Sequence, residues 1–301
     1  MPENQHNKLL VIVGPTAAGK TKLAVKLAAV FDGEIVSADS RQVYRSMDIG
    51  TGKDLNEFRI IPYHLIDIVS PKTDFNLAKY LKLAKRAIAD IQRRGKLPIL
   101  VGGTGLYFQA VVDGYSLSAV KPDKKLRAEL EKKSVLELEQ MLKKLDPGFQ
   151  ADEKNKRHLI RYIEVVKQTK QPLIQALTKR GGDYSCLVLG VTLPRHKLNE
   201  KIDGRLIRRL EREGLIEEVV RLRKSGVTWR RLLSFGLEYA FVSRYLRGEL
   251  NRNELAEKLA VAIHQFAKRQ ITWLKRWERQ GREIVWINTY DQARRLVKEW
   301  L

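Results

Sequence analysis

Positions 9–13 read Leu-Leu-Val-Ile-Val, five apolar residues in a row. So short a run, rich in β-branched side chains, predicts a strand buried on both faces of a parallel sheet. A glycine-punctuated turn follows, then a helical pattern over 20–31. Residues 34–38 and 64–69 predict a second and a third strand, and 76–94 predict a long amphipathic helix. A fourth strand at 97–101 is stopped by Gly102 and Gly103. Strands that alternate with helices predict an α/β fold built on a doubly wound parallel sheet.

The texture changes after about residue 118. From 122 to 180 the pattern predicts several charged helices and no strand, with a turn at Asp146-Pro147-Gly148 and an exit at Gly181-Gly182. Residues 186–193 again predict a strand. Helices are predicted at 196–224, 232–247 and 252–279, then a last strand at 283–287 and a closing helix. The expected organisation is a P-loop-type sheet core with C-terminal helices (1–118 and 183–301) and a helical insertion (119–182).

Composition narrows this picture. In 301 residues, 44% are hydrophobic, enough for a sizeable core. No apolar run reaches 18 residues, so no membrane span is expected, and the polar opening at 1–8 carries no signal segment, which predicts a cytoplasmic protein. Cys186 is the lone cysteine, which excludes an internal disulfide and a multi-cysteine zinc site. The net charge of +22 is uneven: residues 1–115 carry 16 basic and 11 acidic side chains, and the rest of the chain carries 41 and 24. The second part therefore reads as a surface for a polyanion, a solvated lysine-rich surface being the alternative.

Gly14, Pro15, Thr16, Ala17, Ala18, Gly19, Lys20 and Thr21 fit G-x-x-x-x-G-K-[ST] between a strand and a helix. That context makes a phosphate cradle: backbone N–H groups and a helix N-terminus face the anion, Lys20 reaches its oxygens, and the Thr21 hydroxyl is placed for Mg²⁺. ATP is the default ligand of such a loop, and a kinase of a nucleotide or small metabolite is one reading. A P-loop kinase often carries a carboxylate at the end of a later strand; here that strand ends in Gly102-Gly103-Thr104-Gly105. Asp67 in the third strand is a weaker metal candidate or a structural residue. Asp39, after the second strand, faces the ligand crevice as a metal or proton acceptor, or caps a helix. Thr104 points to the same crevice. Trp273 and Trp277 lie four apart and read as packing rather than as a base-stacking platform, Tyr107 as packing beneath Thr104, and Cys186 as a core residue.

Taken together, these segments resemble the tRNA dimethylallyltransferase (tRNA isopentenyltransferase) family. The resemblance is carried by residues 14–21, by Ser-Ala-Asp-Ser-Arg-Gln-Val-Tyr at 37–44, by Met-Asp-Ile-Gly-Thr at 47–51 and by His-Leu-Ile-Asp at 64–67. It continues with Val-Gly-Gly-Thr-Gly-Leu-Tyr at 101–107 and Phe-Ala-Lys-Arg-Gln-Ile-Thr-Trp at 266–273. It implies transfer of a dimethylallyl group from dimethylallyl diphosphate, gripped by the P-loop, to the exocyclic amine of the adenosine 3′ of the anticodon. Carried over by motif, Asp39 is the general base, Ser40, Arg41 and Gln42 bind the acceptor nucleotide, and Thr104 lies at the reacting centre. Arg127 and the segment Arg157, His158, Leu159, Ile160 and Arg161 fall where the family contacts tRNA. Arg205 resembles the family's diphosphate-binding arginine, with a spacing to Gly214 one residue longer than usual, and Arg208 or Arg209 could substitute. Gly236-Leu237-Glu238 stands where the family has Gly-Tyr and a basic residue. The resemblance also implies Mg²⁺ and a monomer.

Overall fold

The structure, a computed structural model, describes residues 7–58, 60–115, 123–148, 155–172 and 182–301. The polar opening at 1–6, the boundary near 118 and the end of the expected insertion at 173–181 lie outside the described residues. The chain forms two compact units, Met1–Val112 with Asp183–Leu301, and Asp113–Gly182. The second unit thus begins at 113, where the sequence pattern placed the change of texture near 119.

In the first unit, six parallel strands run in the order β3-β2-β4-β1-β5-β6, with β1 Lys8–Val13, β2 Gly33–Ser37, β3 Tyr63–His64, β4 Leu97–Gly102, β5 Ser185–Val191 and β6 Val285–Ile287. Leu9 to Val13 are completely buried, as a central strand covered on both faces requires. Helix α1 (Lys20–Val30) packs on β2 and β4, and α2 (Leu77–Arg93) and α3 (Gly105–Val112) also pack on β4. Asn76 caps α2 by accepting the Lys79 N–H, and Tyr80, Leu81, Ala84, Ile88 and Ile91 form its buried stripe.

The third strand is shorter than the pattern predicts. It ends at His64, because Leu65 and Asp67 take left-handed φ values of 65° and 57°. The backbone there bonds instead to Gln42 and Val43 of a neighbouring loop. Asp67 pairs with the buried Lys53 at 2.5 Å, so its part is structural.

The insertion contains α4 (Lys124–Leu130), α5 (Val135–Leu145) and α6 (Lys156–Thr169). Leu130, Leu138, Leu142, Leu159 and Ile163 pack as its own core.

The long C-terminal helical patterns are broken at glycines. Residues 196–224 form α7 (Arg195–Glu211) and α8 (Leu215–Lys224), separated by Gly214 at φ 80°. Residues 232–247 belong to α9 (Trp229–Phe235) and α10 (Leu237–Leu246), separated by Gly236. The longest helix, α11 (Arg252–Arg279), opens with a capping box between Asn251 and Glu254. Its buried stripe reads Leu255, Leu259, Ile263, Ala267, Gln270, Leu274 and Trp277, with one polar member. Helix α12 (Tyr290–Trp300) closes the unit.

Candidate active site

The turn between β1 and α1 wraps the end of the central strand. Gly14 meets β5 so closely that a Cβ there would lie 2.2 Å from the Val191 carbonyl oxygen, so no other residue fits without moving β5. Gly19 sits in the left-handed region at the N-terminus of α1. Lys20 folds back over the loop and donates to the Pro15 carbonyl at 2.7 Å. Desolvation pulls its pKa down to about 8; Asp39 opposes the shift and Arg205 adds to it. From α7, Arg205 donates to the Thr16 hydroxyl at 2.6 Å. Burial, with Arg209 beside it, pulls the Arg205 pKa down to about 10. Among the described residues, neither Lys20 nor Arg205 has a carboxylate within ion-pair distance. Two partly desolvated cations beside a helix N-terminus and without an internal counterion make a site that takes up an anion.

The other α7 arginines do different work. Arg208 pairs with Glu213, and the buried Arg209 pairs with Glu238 at 3.5 Å. Burial raises the Glu238 carboxyl above its ordinary value, and Arg209 opposes this. Glu238, where the family pattern has a basic residue, here serves as the partner of Arg209.

The ends of β2 and β4 meet across a backbone seam: Ala38 donates to Val101 at 2.7 Å and Thr104 donates to Ala38 at 3.1 Å. The Thr104 hydroxyl accepts the Ser40 N–H at 3.0 Å. Asp39 Oδ1 accepts the N–H of Arg41 at 2.8 Å and lies 3.4 Å from that of Gln42, so one oxygen shapes the turn. Arg41 is tied down, with Nε donating to the Phe235 carbonyl at 2.8 Å. Gln42 donates to the Gly52 carbonyl and accepts from the Ser37 hydroxyl. Beneath them Tyr80 stacks on Tyr107 with ring centroids 3.9 Å apart.

Gln270 was not singled out from the sequence as a site residue. Its Oε1 accepts the Thr16 N–H and its Nε2 donates to the Gly103 carbonyl, each at 2.8 Å, so one amide joins the phosphate loop to the Thr104-bearing strand end. The signal was present: Gln270 is the polar member of an otherwise apolar helical stripe. Thr16, Lys20, Thr21, Asp39, Thr104 and Arg205 all line one cleft of about 960 Å³. Trp273 lines it too and donates to Gln109 at 3.0 Å, whereas Trp277 is 1% exposed in the core.

The insertion residues divide differently. Arg127 makes a two-pronged contact to Glu164 at 2.9 and 2.7 Å, and Arg161 reaches the same carboxylate at 2.5 Å. Glu164 is fully buried and these guanidiniums help hold its carboxyl below the usual range against desolvation. Leu159 and Ile160 are buried in the helical core, so their side chains serve packing rather than contact with a nucleic acid. Arg157 and His158 stand on the surface.

No group of three or more His, Cys, Asp or Glu with metal-site geometry occurs among the described residues. The Thr21 hydroxyl and Asp39 carboxylate are hard oxygen donors in one cleft, so a Mg²⁺ ion fits this donor set if ligand oxygens and water complete its shell. Among the described residues, no helix is long and apolar enough to cross a membrane.

A phosphate cradle at the end of the central strand of a parallel sheet, with unpaired cations and a carboxylate in one cleft, defines an enzyme of the P-loop class. The model of one family, described as IPP transferase, matches residues 42–277, and a second, isopentenyl transferase, matches residues 7–59. The chain belongs to the IPP transferase family. It is 46% identical to tRNA dimethylallyltransferase 1 of Geotalea uraniireducens over 93% of this chain and 92% of that one. To tRNA dimethylallyltransferase 2 of Trichlorobacter lovleyi it is 48% identical, again over 93% and 92%. A solved tRNA isopentenylpyrophosphate transferase of Bacillus halodurans superposes with a TM-score of 0.71 at 35% identity, covering 98% of this chain and 95% of that one. A eukaryotic dimethylallyltransferase, crystallised in the act of modifying tRNA, superposes at 0.75 with 27% identity, over 89% of this chain and 70% of that one.

Proposed function

We propose that this chain transfers a dimethylallyl group from dimethylallyl diphosphate to the exocyclic amine of the adenosine 3′ of the anticodon in tRNA, as a cytoplasmic monomer. One observation carries the reading: Lys20 and Arg205 face the cleft without a carboxylate partner, while Asp39 and Thr104 lie on adjoining strand ends in the same cleft. A departing diphosphate is the anion such a site suits. The family membership supports the same reaction.

In this reaction the adenine amine nitrogen forms a bond to C1 of the dimethylallyl group as the C1–O bond breaks. The electron pair leaves with the diphosphate. Lys20, Arg205 and the N–H groups of the loop stabilise the charge that grows on it. Asp39 accepts the amine proton through its carboxylate. Thr104 holds the turn that carries Asp39 by accepting the Ser40 N–H. Adenine is a weak nucleophile, so the cleft contributes mainly by alignment, and the acceptor base must leave its stack to enter. Mg²⁺, held by Thr21 and with Asp39 nearby, supplies further neutralisation of the diphosphate when bound. The exposed basic residues, among them Arg157, offer phosphate contacts to the RNA.

The test is to incubate the protein with dimethylallyl diphosphate, Mg²⁺ and unmodified tRNA, and to digest and analyse the RNA. Isopentenyladenosine is the expected product. Phosphoryl transfer from ATP without that product overturns the reading in favour of a kinase.

A further inference from the structure

One wall of the cleft is held from behind by a buried carboxylate. Glu218, on α8, is 2% exposed. Its Oε2 accepts the backbone N–H of Asp48 at 2.7 Å and of Ile49 at 2.8 Å. Its Oε1 accepts the Gly50 N–H at 3.1 Å and the Tyr239 hydroxyl at 2.8 Å. No lysine or arginine pairs with it among the described residues. Successive backbone N–H groups aimed at one point form an anion nest. Here the anion belongs to the chain itself, so the loop is shaped before any substrate arrives.

The other side of this loop faces the cleft, where Gly50, Thr51 and Gly52 form its lining. Gly52 then fixes a residue of the acceptor side: its carbonyl takes the Gln42 Nε2 donor at 3.1 Å, while the Ser37 hydroxyl donates to Gln42 Oε1 at 3.0 Å. Both polar atoms of that amide are thereby oriented, one residue-turn from Asp39. The far end of the loop is pinned by Lys53, 1% exposed, which donates to the Tyr44 carbonyl at 2.8 Å and pairs with Asp48 and Asp67 at 2.6 and 2.5 Å. The fit behind the loop is close. A Cβ on Gly50 would lie 2.7 Å from the Tyr239 ring. The phosphate loop depends on other contacts, those of Gln270 and Arg205 with Thr16.

We infer that Glu218 is a positioning residue for the acceptor side of the reaction: its carboxylate sets the wall at 50–52 and, through the Gly52 carbonyl, the place of Gln42 beside Asp39. The inference rests on the transfer reaction proposed above. A carboxylate that merely stabilised the fold would, when lost, weaken both halves of the cleft. A positioning carboxylate weakens the acceptor half and spares the diphosphate half.

Glu218→Gln and Tyr239→Phe in the full chain separate these cases. Inorganic pyrophosphate binding by calorimetry reports the diphosphate half. Steady-state kinetics with tRNA, and tRNA binding by fluorescence anisotropy, report the acceptor half. Glu218→Gln keeps the side-chain size and places an N–H₂ against backbone N–H groups. It should lower kcat/KM for tRNA by up to about 10²-fold through misalignment, with pyrophosphate affinity at the wild-type value. Tyr239→Phe removes one of the four bonds, should shift tRNA kinetics less and in the same direction, and decides the matter alone if Glu218→Gln does not fold. Wild-type tRNA kinetics in the variants, or a parallel loss of pyrophosphate and tRNA binding, overturns the inference. If the wild-type protein forms no isopentenyladenosine, the transfer reading fails. The inference falls with it in that case, whereas wild-type turnover together with unaltered variants overturns the inference alone.

Discussion

The two compact units treat their arginines and lysines in opposite ways. In the insertion, Arg127 and Arg161 converge on the buried Glu164, so both guanidiniums share an internal carboxylate. In the sheet unit, Lys20 bonds to a carbonyl and Arg205 to a hydroxyl, and neither is neutralised. The first arrangement is a closed circuit whose value is to hold helices together. The second is an open one, kept partly desolvated at a cost in stability, and in the proposed reaction it is completed by a diphosphate. Position in a basic sequence does not tell these roles apart; the presence or absence of a buried carboxylate does.

The sharpest way to break this contrast is to remove the open charge. Lys20→Ala should lower kcat by about 10²–10³-fold, as for loss of one donor to a developing oxyanion, and should weaken pyrophosphate binding in calorimetry. A variant with near-normal turnover would show that the ammonium is not what the site uses. Asp39→Ala should reduce turnover by about 10²-fold or more if its carboxylate takes the proton, with tRNA affinity in filter binding retained. For the closed circuit the expected loss is in stability rather than in turnover. Glu164→Ala takes the shared partner from two guanidiniums that solvent already reaches in part, and should cost about 1–2 kcal/mol in denaturant unfolding. A loss near zero would mean that solvent already shares those charges.

A smaller effect comes from pH. The Lys20 pKa is lowered to about 8, so the charged form that holds an anion dominates below that value and is lost above it. Pyrophosphate affinity should therefore fall as pH rises through about 8, by at most about tenfold per pH unit for one proton. Lys20→Arg, which stays charged, corrects for ionisation of the ligand and should show a flatter profile. The same shift makes a contribution of opposite sign to folding. The unfolded chain binds that proton up to the ordinary value of 10.5, so this group's destabilising effect fades as pH rises from about 8 to 10.5. Smallest of all, Arg157→Ala should weaken tRNA binding modestly and reduce the slope of log K against log salt by about 1. An unchanged slope would remove Arg157 from the RNA surface.

Much of the sheet was legible because its strands are short apolar runs between glycines, and because the phosphate loop is a local device written in eight consecutive residues. The third strand is shorter than its composition predicts for a physical reason: 65–69 is apolar enough for a strand, but left-handed turns at Leu65 and Asp67 end it and Asp67 pairs with the buried Lys53. Gly214 and Gly236 cut helical patterns that apolar periodicity alone runs together. At the site, residues within one loop of each other were found from their motifs, whereas Gln270 and Glu218 act on partners 254 and about 170 positions away. Each is nonetheless marked locally as a polar residue in the buried stripe of an amphipathic helix. Such a residue must find a partner, and the partner is where the fold places its precision. Arg161 shows the converse: Glu164 lies three positions on in the sequence, but its burial and its second partner, Arg127, 37 positions away, come only from the fold.

The pair of hydrogen bonds made by the Gln270 amide has a mechanical meaning. It joins the two lips of the cleft at a fixed gauge, one contact on the Thr16 N–H and one on the Gly103 carbonyl. Spreading the lips breaks both contacts at once, so a single side chain sets the width of the cleft at this point.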